Sequence, residues 1–306
     1  MTISEFRKKI YVLPKDIRKE SKFALYNIRK ELLTKKTLES NDPGVSNVRI
    51  CDRNVIVSMA SYGTRVRSAY CAIESIMQQT IKPNKFLLCV PETMKGEPIP
   101  ELIQRQQKRG LELLYCKDIW SFRKLIPALK LYPDDIIITC DDDCLYDSDF
   151  LENLIISYKK DPTAIWGNRI HEITFDRRGN IKKYNEWNWE IPNTDRTSNR
   201  FFITTVGGVL YPPHSLYPDV VKDEIFMEIA KYNDDIWCYA MALLAGSQIK
   251  RSFTHSECGM DYLDPTDPFP NSLCFENNSK RFNRNDKIIR AVFKKYGIYS
   301  ILRQQD

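Results

Sequence analysis

Ile136-Ile137-Ile138-Thr139-Cys140-Asp141-Asp142-Asp143 carries an apolar, β-branched run straight into three consecutive carboxylates. Such a run reads as a strand buried on both faces. If the backbone stays extended past Cys140, the two-residue repeat sends Asp141 and Asp143 to one face and Asp142 to the other. Three adjacent negative charges repel one another, and burial raises their pKa values unless a cation compensates. Two oxygen donors on one face suit a hard divalent ion, Mg2+ or Mn2+, which binds through a few carboxylates together with substrate phosphates. In open α/β sheets ligands bind at the carboxyl ends of strands, where this triplet falls. Helix capping does not use the triplet up. The helix expected next, through Phe150, Leu151, Leu154, Ile155 and Tyr158, has nearer caps in Asp147 and Ser148.

Outward from this strand the chain alternates between the two regular periods. Strands are expected at Asn54 to Met59, Lys85 to Val90, Leu111 to Tyr115 and Ala164 to Gly167. Helices are expected at Val66 to Gln79, Pro100 to Arg109 and Arg123 to Leu131. This β-α-β-α order implies an α/β fold with a mainly parallel sheet and helices on both faces. Between Arg169 and Pro192 the pattern loosens into a hairpin around Arg178-Gly179-Asn180 and the aromatic stretch Trp187-Asn188-Trp189. Phe201 to Val206 returns to strand and ends at Gly207-Gly208, and Asp234 to Leu244 is helical. No linker divides the middle of the chain. The expected organisation is a basic helical segment over 1–46, one catalytic-sized domain over 47–285 and an amphipathic C-terminal helix over 286–306.

Composition bounds the function. The 306 residues are 42% hydrophobic and 28% charged, ordinary for a globular protein that buries a substantial core. Nine cysteines form no CxxC pair and no disulfide-framework spacing, which argues against a zinc site. Reduced thiols packed as small hydrophobes are the simpler reading and favour the cytoplasm. No apolar run approaches a membrane span of about eighteen residues.

Residues 1–36 hold eleven Lys/Arg against four Asp/Glu, a balance of +7 in a chain whose net charge is +6. The remainder is near neutral, which is not the footprint of a nucleic-acid surface. Ile17, Ala24, Leu25, Ile28 and Leu32 share one helical face with Lys and Arg around them. That face suits peripheral contact with an anionic membrane on its inner side, and equally a helix packed on its own domain.

A strand leading into an acidic triplet after about three β-α units resembles the GT-A class of glycosyltransferases, and further segments match it in order. Val55-Ile56-Val57-Ser58-Met59 opens into Ala60-Ser61-Tyr62, as the nucleotide-binding loop does in that class. Trp120 to Pro127 resembles the segment that brings a lysine, here Lys124, to the nucleotide diphosphate. Thr205 to Tyr211 resembles the glycine-containing strand end beside the donor sugar, with Gly207 and Gly208. Asn233-Asp234-Asp235-Ile236-Trp237 resembles the acidic helix start that carries the base of inverting members. These segments span roughly residues 54–256, and the likeness is greatest to the bacterial family-two-like enzymes of surface polysaccharide synthesis.

The resemblance implies a sugar transfer from a nucleotide-sugar donor, a UDP-sugar, to a glycan or lipid-linked saccharide acceptor. It makes Asp143 a direct metal ligand, with Asp141 beside it and Asp141 or Asp142 nearer the ribose. Arg65 and Lys124 are candidates to offset phosphate charge. Asp235, with Asp234 as its alternate, would take the acceptor proton. His255 is a candidate third metal ligand, while His171 and His214 are given structural roles. Trp187 and Trp189, two apart, would share one face, either as a sugar platform or as core.

Two rival functions remain open on the sequence. Gly63-Thr64-Arg65 superficially resembles a sugar-nucleotidyltransferase signature, but the preceding Met59-Ala60-Ser61-Tyr62 lacks the glycines of a phosphate loop. A non-catalytic glycan-binding domain of the same fold is the other.

Overall fold

The structure is a computed structural model that describes residues 15–254, 260–262, 277 and 283–303. Its first half runs α1 (Lys15–Glu39), β1 (Val55–Ala60), α2 (Tyr70–Met77), β2 (Lys85–Pro91), α3 (Glu101–Gln107), β3 (Leu111–Cys116), α4 (Ile126–Leu131), β4 (Ile136–Asp141) and β5 (Cys144–Tyr146). It continues through α5 (Phe150–Lys160), β6 (Ile165–Gly167), β7 (Ile170–Glu172), β8 (Phe201–Ile203), β9 (Val209–Tyr211), α6 (Asp223–Ile229) and α7 (Asp234–Leu244). It closes with β10 (Ile249–Arg251), β11 (Met260–Tyr262), α8 (Arg284–Tyr296) and α9 (Ile298–Arg303).

Seven strands form one sheet in the order β10-β6-β9-β4-β1-β2-β3. All neighbours are parallel except β9, which runs antiparallel to both β4 and β6. Alternate residues of each central strand feed opposite cores. Val55, Val57, Ile136 and Ile138 pack with Ile73 and Ile76 of α2 and Leu151 and Leu154 of α5. Ile56 and Ile137 pack with Ile126 of α4, Ile236 and Tyr239 of α7, and Ile289 and Val292 of α8. Helices therefore cover both faces, as the β-α alternation implies, and the expected α/β class is borne out. The C-terminal helix is one wall of the core rather than an appendage.

Local chemistry moves several boundaries. Pro127 is tolerated only in a first turn, so the helix expected from Arg123 starts as a 3-10 turn (Trp120–Lys124) and becomes α at Ile126. The strand expected from Phe201 to Val206 stops at Ile203, and Thr205–Gly207 forms a 3-10 turn before β9. The hairpin forms around Gly179, with the Asp176 carboxylate accepting from the backbone of Arg178 and Asn180.

α1 packs on its own domain, though not by the stripe expected. Leu25, Tyr26, Arg29 and Thr37 are buried, whereas Ile17, Ala24, Ile28 and Leu32 face outward. Polar anchors set this rotation: Arg29 donates to the Tyr146 carbonyl at 3.0 Å and Thr37 to Glu74 at 3.2 Å. Glu74 is itself fully buried and ion-paired to Arg109 at 2.8 Å. In the sequence such residues read as solvated surface. Among the described residues no helix is long and apolar enough to cross a membrane.

Candidate functional site

The carboxyl ends of β1 and β4 and the amino end of β9 meet at one end of the sheet's central strands. Register pairs Ala60 with Asp141, and the chain turns at Asp142 and Asp143 before β5. The extended backbone ends at Asp141, so the alternation argument stops there. All three aspartates instead line one cleft of about 590 Å3.

Each is already engaged by the protein. Asp142 is buried, accepts from the Ser61 hydroxyl at 2.6 Å, and is ion-paired with Arg65. Arg65 also reaches Asp143 at 3.0 Å. Asp141 accepts from Lys124 at 2.6 Å. Two cations do not balance the group. Burial pushes the Asp141 carboxyl up, against the pull of Lys124, and the Asp143 charge adds to it. Burial likewise raises Asp143, reinforced by Asp142 and opposed by Arg65. Among the described residues, six carboxyl groups (Asp118, Asp141, Asp142, Asp143, Asp234 and Asp235) and four cationic side chains (Arg65, Arg123, Lys124 and Arg169) line the cleft.

Lys124 ties the acid triplet to α7. Its ammonium is buried and contacts Asp141, the Thr205 hydroxyl at 2.6 Å and Asp234 at 3.3 Å. Burial pulls its pKa down, but Asp141, Asp234 and Asp235 together hold it well above the lysine range. Thr205 passes the chain on, donating its hydroxyl to Asp235 at 2.8 Å and its backbone N–H to the same oxygen at 2.9 Å. A continuous polar path thus runs Asp141–Lys124–Thr205–Asp235.

Capping of α7 is done by Asn233, whose side chain accepts from the Ile236 N–H at 3.0 Å. Asp235 is therefore not consumed as the cap. Burial raises its pKa to about 7, the neighbouring Asp234 adds to this, and Lys124 and the Thr205 hydrogen bonds oppose it. A carboxylate poised there exchanges protons readily at neutral pH.

The structure thus brings Ser61, Tyr62, Arg65, Lys124, Asp141, Asp142, Asp143, Asp234 and Asp235 into one cleft. Gly207 and Gly208 adjoin Thr205 and Val206 of the lining and are themselves closely packed. A Cβ on Gly207 would meet Arg169 at 2.5 Å, and one on Gly208, at φ +84°, would meet the Phe150 ring at 2.2 Å. The missing Cβ atoms let Arg169 and Phe150 pack directly against this backbone. His255 lies outside the described residues. His171 is buried, and His214 is exposed beside Asp134.

Sequence reasoning missed Thr205, Arg123 and Arg169. Arg123 pairs with Asp118, reaches the Ser61 carbonyl at 3.5 Å and stands 5.7 Å from the centre of the Tyr62 ring. Its signal was its place one residue before Lys124. Trp187 and Trp189 part company, the first 4% exposed in the core and the second 41% exposed on the cleft wall.

The donor set suits a hard divalent cation: two carboxylates, Asp141 and Asp143, in a cleft short of positive charge. Among the described residues no group of three or more His, Cys, Asp or Glu stands ready to hold a metal alone. Phosphate and water oxygens would complete the shell.

The sequence matches no protein-family model and no curated protein. Among solved structures, a mannosyltransferase from Pyrobaculum calidifontis in complex with GDP-Man and Mn2+ is similar at 12% identity, with 98% of this chain and 80% of that chain covered and a TM-score of 0.47. A CMP:2-keto-3-deoxy-manno-octonic acid synthetase complexed with CTP is similar at 13% identity, covering 65% and 88%, with a TM-score of 0.38. An inositol-1-phosphate CTP transferase from T. maritima is similar at 12% identity, covering 78% and 97%, with a TM-score of 0.40. These likenesses are too remote to place the chain with any one of the three.

Proposed function

We propose that this chain is a metal-dependent glycosyltransferase of GT-A type that moves a sugar from a nucleotide-diphosphate sugar, a UDP-sugar, to a glycan or lipid-linked glycan with inversion. One observation carries the reading: a cleft richer in carboxylates than in cations that also holds a separate carboxylate poised near neutrality. A diphosphate adds further negative charge, so it enters such a cleft only with a divalent cation. Asp141 and Asp143 would hold that ion, and when bound it supplies Lewis-acid stabilisation of the leaving diphosphate.

The chain's own residues do the rest. Arg65 and Lys124 bring fixed positive charge to the phosphates. Ser61 holds Asp142 in place beneath them. Asp235 accepts the proton of the acceptor hydroxyl as that oxygen bonds to the anomeric carbon and the bond to the nucleoside diphosphate breaks. Direct displacement of this kind inverts the anomeric centre. Thr205 and Lys124 keep the Asp235 carboxylate oriented toward the cleft.

The exposed side of α1 carries Ile17, Phe23, Ile28, Leu32 and Leu38 together with Lys30, Lys35 and Lys36. This mixture of outward apolar groups and positive charge complements anionic lipid head groups, and supports peripheral seating on a membrane.

The test is a screen of UDP-, GDP- and CMP-sugars with Mn2+ and with chelator. Metal-dependent release of nucleoside diphosphate, with the product anomer inverted by NMR, is expected. Release of pyrophosphate from a nucleoside triphosphate would point to a nucleotidyltransferase. Binding without turnover would point to a glycan-binding domain.

A further inference from the structure

Two exposed indoles line the cleft, Trp120 against Tyr232 and Trp189 beside Arg169. We propose that Trp189 is the platform on which a saccharide ring of the acceptor stacks, a proposal that rests on the glycosyltransferase reading above.

Sheet order gives the direction. Ser61, Tyr62 and Arg65 follow β1 on one side of the acid triplet, whereas Thr205 precedes β9 on the other and holds Asp235. An acceptor that yields its proton to Asp235 approaches from the β9 and β6 side, opposite the departing phosphate. Arg169 lies in the two-residue link between β6 and β7, and Asn188, next to Trp189, bridges to Glu172 of β7. The wall these residues form is the acceptor's side of the cleft.

Trp189 is exposed yet immobilised, an arrangement that hydrophobic burial alone does not produce. One ring face stacks on His171 with centroids 4.6 Å apart and planes 28° apart. Its indole N–H donates to the Tyr184 carbonyl at 3.3 Å, and the Arg169 guanidinium stands 5.8 Å from the ring centre. The next residue, Glu190, sits at φ +53°, a conformation disfavoured for any residue but glycine. That strain is held by two contacts. The Glu190 N–H donates to His171 Nδ1 at 3.0 Å, and its carboxylate grips Arg169 at 2.8 Å.

The sharp turn at Glu190 accompanies the outward placement of Trp189, while Trp187, two residues earlier, buries against Phe202. Burial and the nearby Arg169 charge hold His171 down to about 3, so the ring under the platform stays neutral and packs as an aromatic. A held indole that stays 41% exposed in the lining of a polar cleft matches a pyranose, whose C–H face is apolar and whose edge carries hydroxyls. Asp235 and Arg169 supply polar partners along that edge.

The experiment compares wild type with Trp189→Ala and Trp189→Phe, using methyl glycosides of glucose, galactose, mannose and N-acetylglucosamine as probes. With a donor that the wild type turns over, transfer to saccharide and transfer to water are measured together. Trp189→Ala is expected to lower the saccharide-to-water ratio by about tenfold or more, and Trp189→Phe to restore most of it. An unchanged ratio overturns the proposal, including the case in which both rates fall equally through misfolding.

In parallel, saturation-transfer NMR on the same glycosides should show ring C–H signals with wild type that Trp189→Ala loses. Their persistence in the variant, or their absence from wild type, overturns it as well. A wild type that releases no nucleoside diphosphate contradicts the transferase reading instead, and leaves the NMR arm to judge Trp189.

Discussion

Replacing Lys124 by methionine keeps the buried volume and removes only the charge. Lys124 is 5% exposed and its ammonium serves Asp141, Asp234 and Thr205 at once, so its loss strands buried carboxylates without a counter-charge. Breaking a buried pair in this way costs about 3–5 kcal/mol.

The cost should depend on pH in a definite sense. Asp141 and Asp235 already have raised carboxyl pKa values in the fold, and losing Lys124 raises them further. A carboxyl whose folded pKa lies above its unfolded value favours the fold fully below the unfolded pKa of about 3.9. That advantage disappears as pH rises through the folded value, at roughly 1.4 kcal/mol per pH unit for each proton involved. The difference between wild type and Lys124→Met should therefore be largest near about pH 8 and shrink toward about pH 5. Urea unfolding in chelator, followed by tryptophan fluorescence, reads it by linear extrapolation. A difference under about 1 kcal/mol at the higher pH, or one that does not narrow on acidification, would refute the buried charge relay.

Three further outcomes follow from the same geometry. Asp143→Ala should abolish transfer while leaving stability within about 1 kcal/mol, because it also relieves repulsion with Asp142; wild-type-like turnover would remove Asp143 from the metal site. Asp235→Asn should cut turnover by about 10²- to 10⁴-fold with little change in donor KM, and wild-type rates should fall as pH drops below about 7, where Asp235 takes up its proton. Equal loss of donor binding and turnover would make Asp235 structural. Ile28→Asn with Leu32→Asn should release the protein from phosphatidylglycerol vesicles without unfolding it, since both side chains face outward. Unchanged co-sedimentation would leave α1 as packing alone.

Much of the fold was legible because its signals are local. The alternation of strand and helix, the acid triplet at the end of β4 and the Asn233-Asp234-Asp235 helix start each depend on residues close in sequence. What could not be read depends on partners brought from afar. Thr205 is one hydroxyl among many until the fold sets it between Lys124 and Asp235, 81 and 30 residues away. That Gly207 and Gly208 make room for Arg169 and Phe150 likewise depends on residues far from them in sequence. The face α1 buries is chosen by Arg29 and Thr37, which hydropathy counts as solvated. Trp187 and Trp189 both pack on Tyr184, and which of the two is buried is decided by partners distant in sequence, Phe202 against Trp187 and His171 against Trp189.

The most direct measurement is calorimetric titration of uridine and guanosine diphosphates into the protein, with Mn2+ and with chelator. The account predicts binding that requires the metal and vanishes in Asp143→Ala. Equal affinity with chelator present, carried by Arg65 and Lys124 alone, would contradict it.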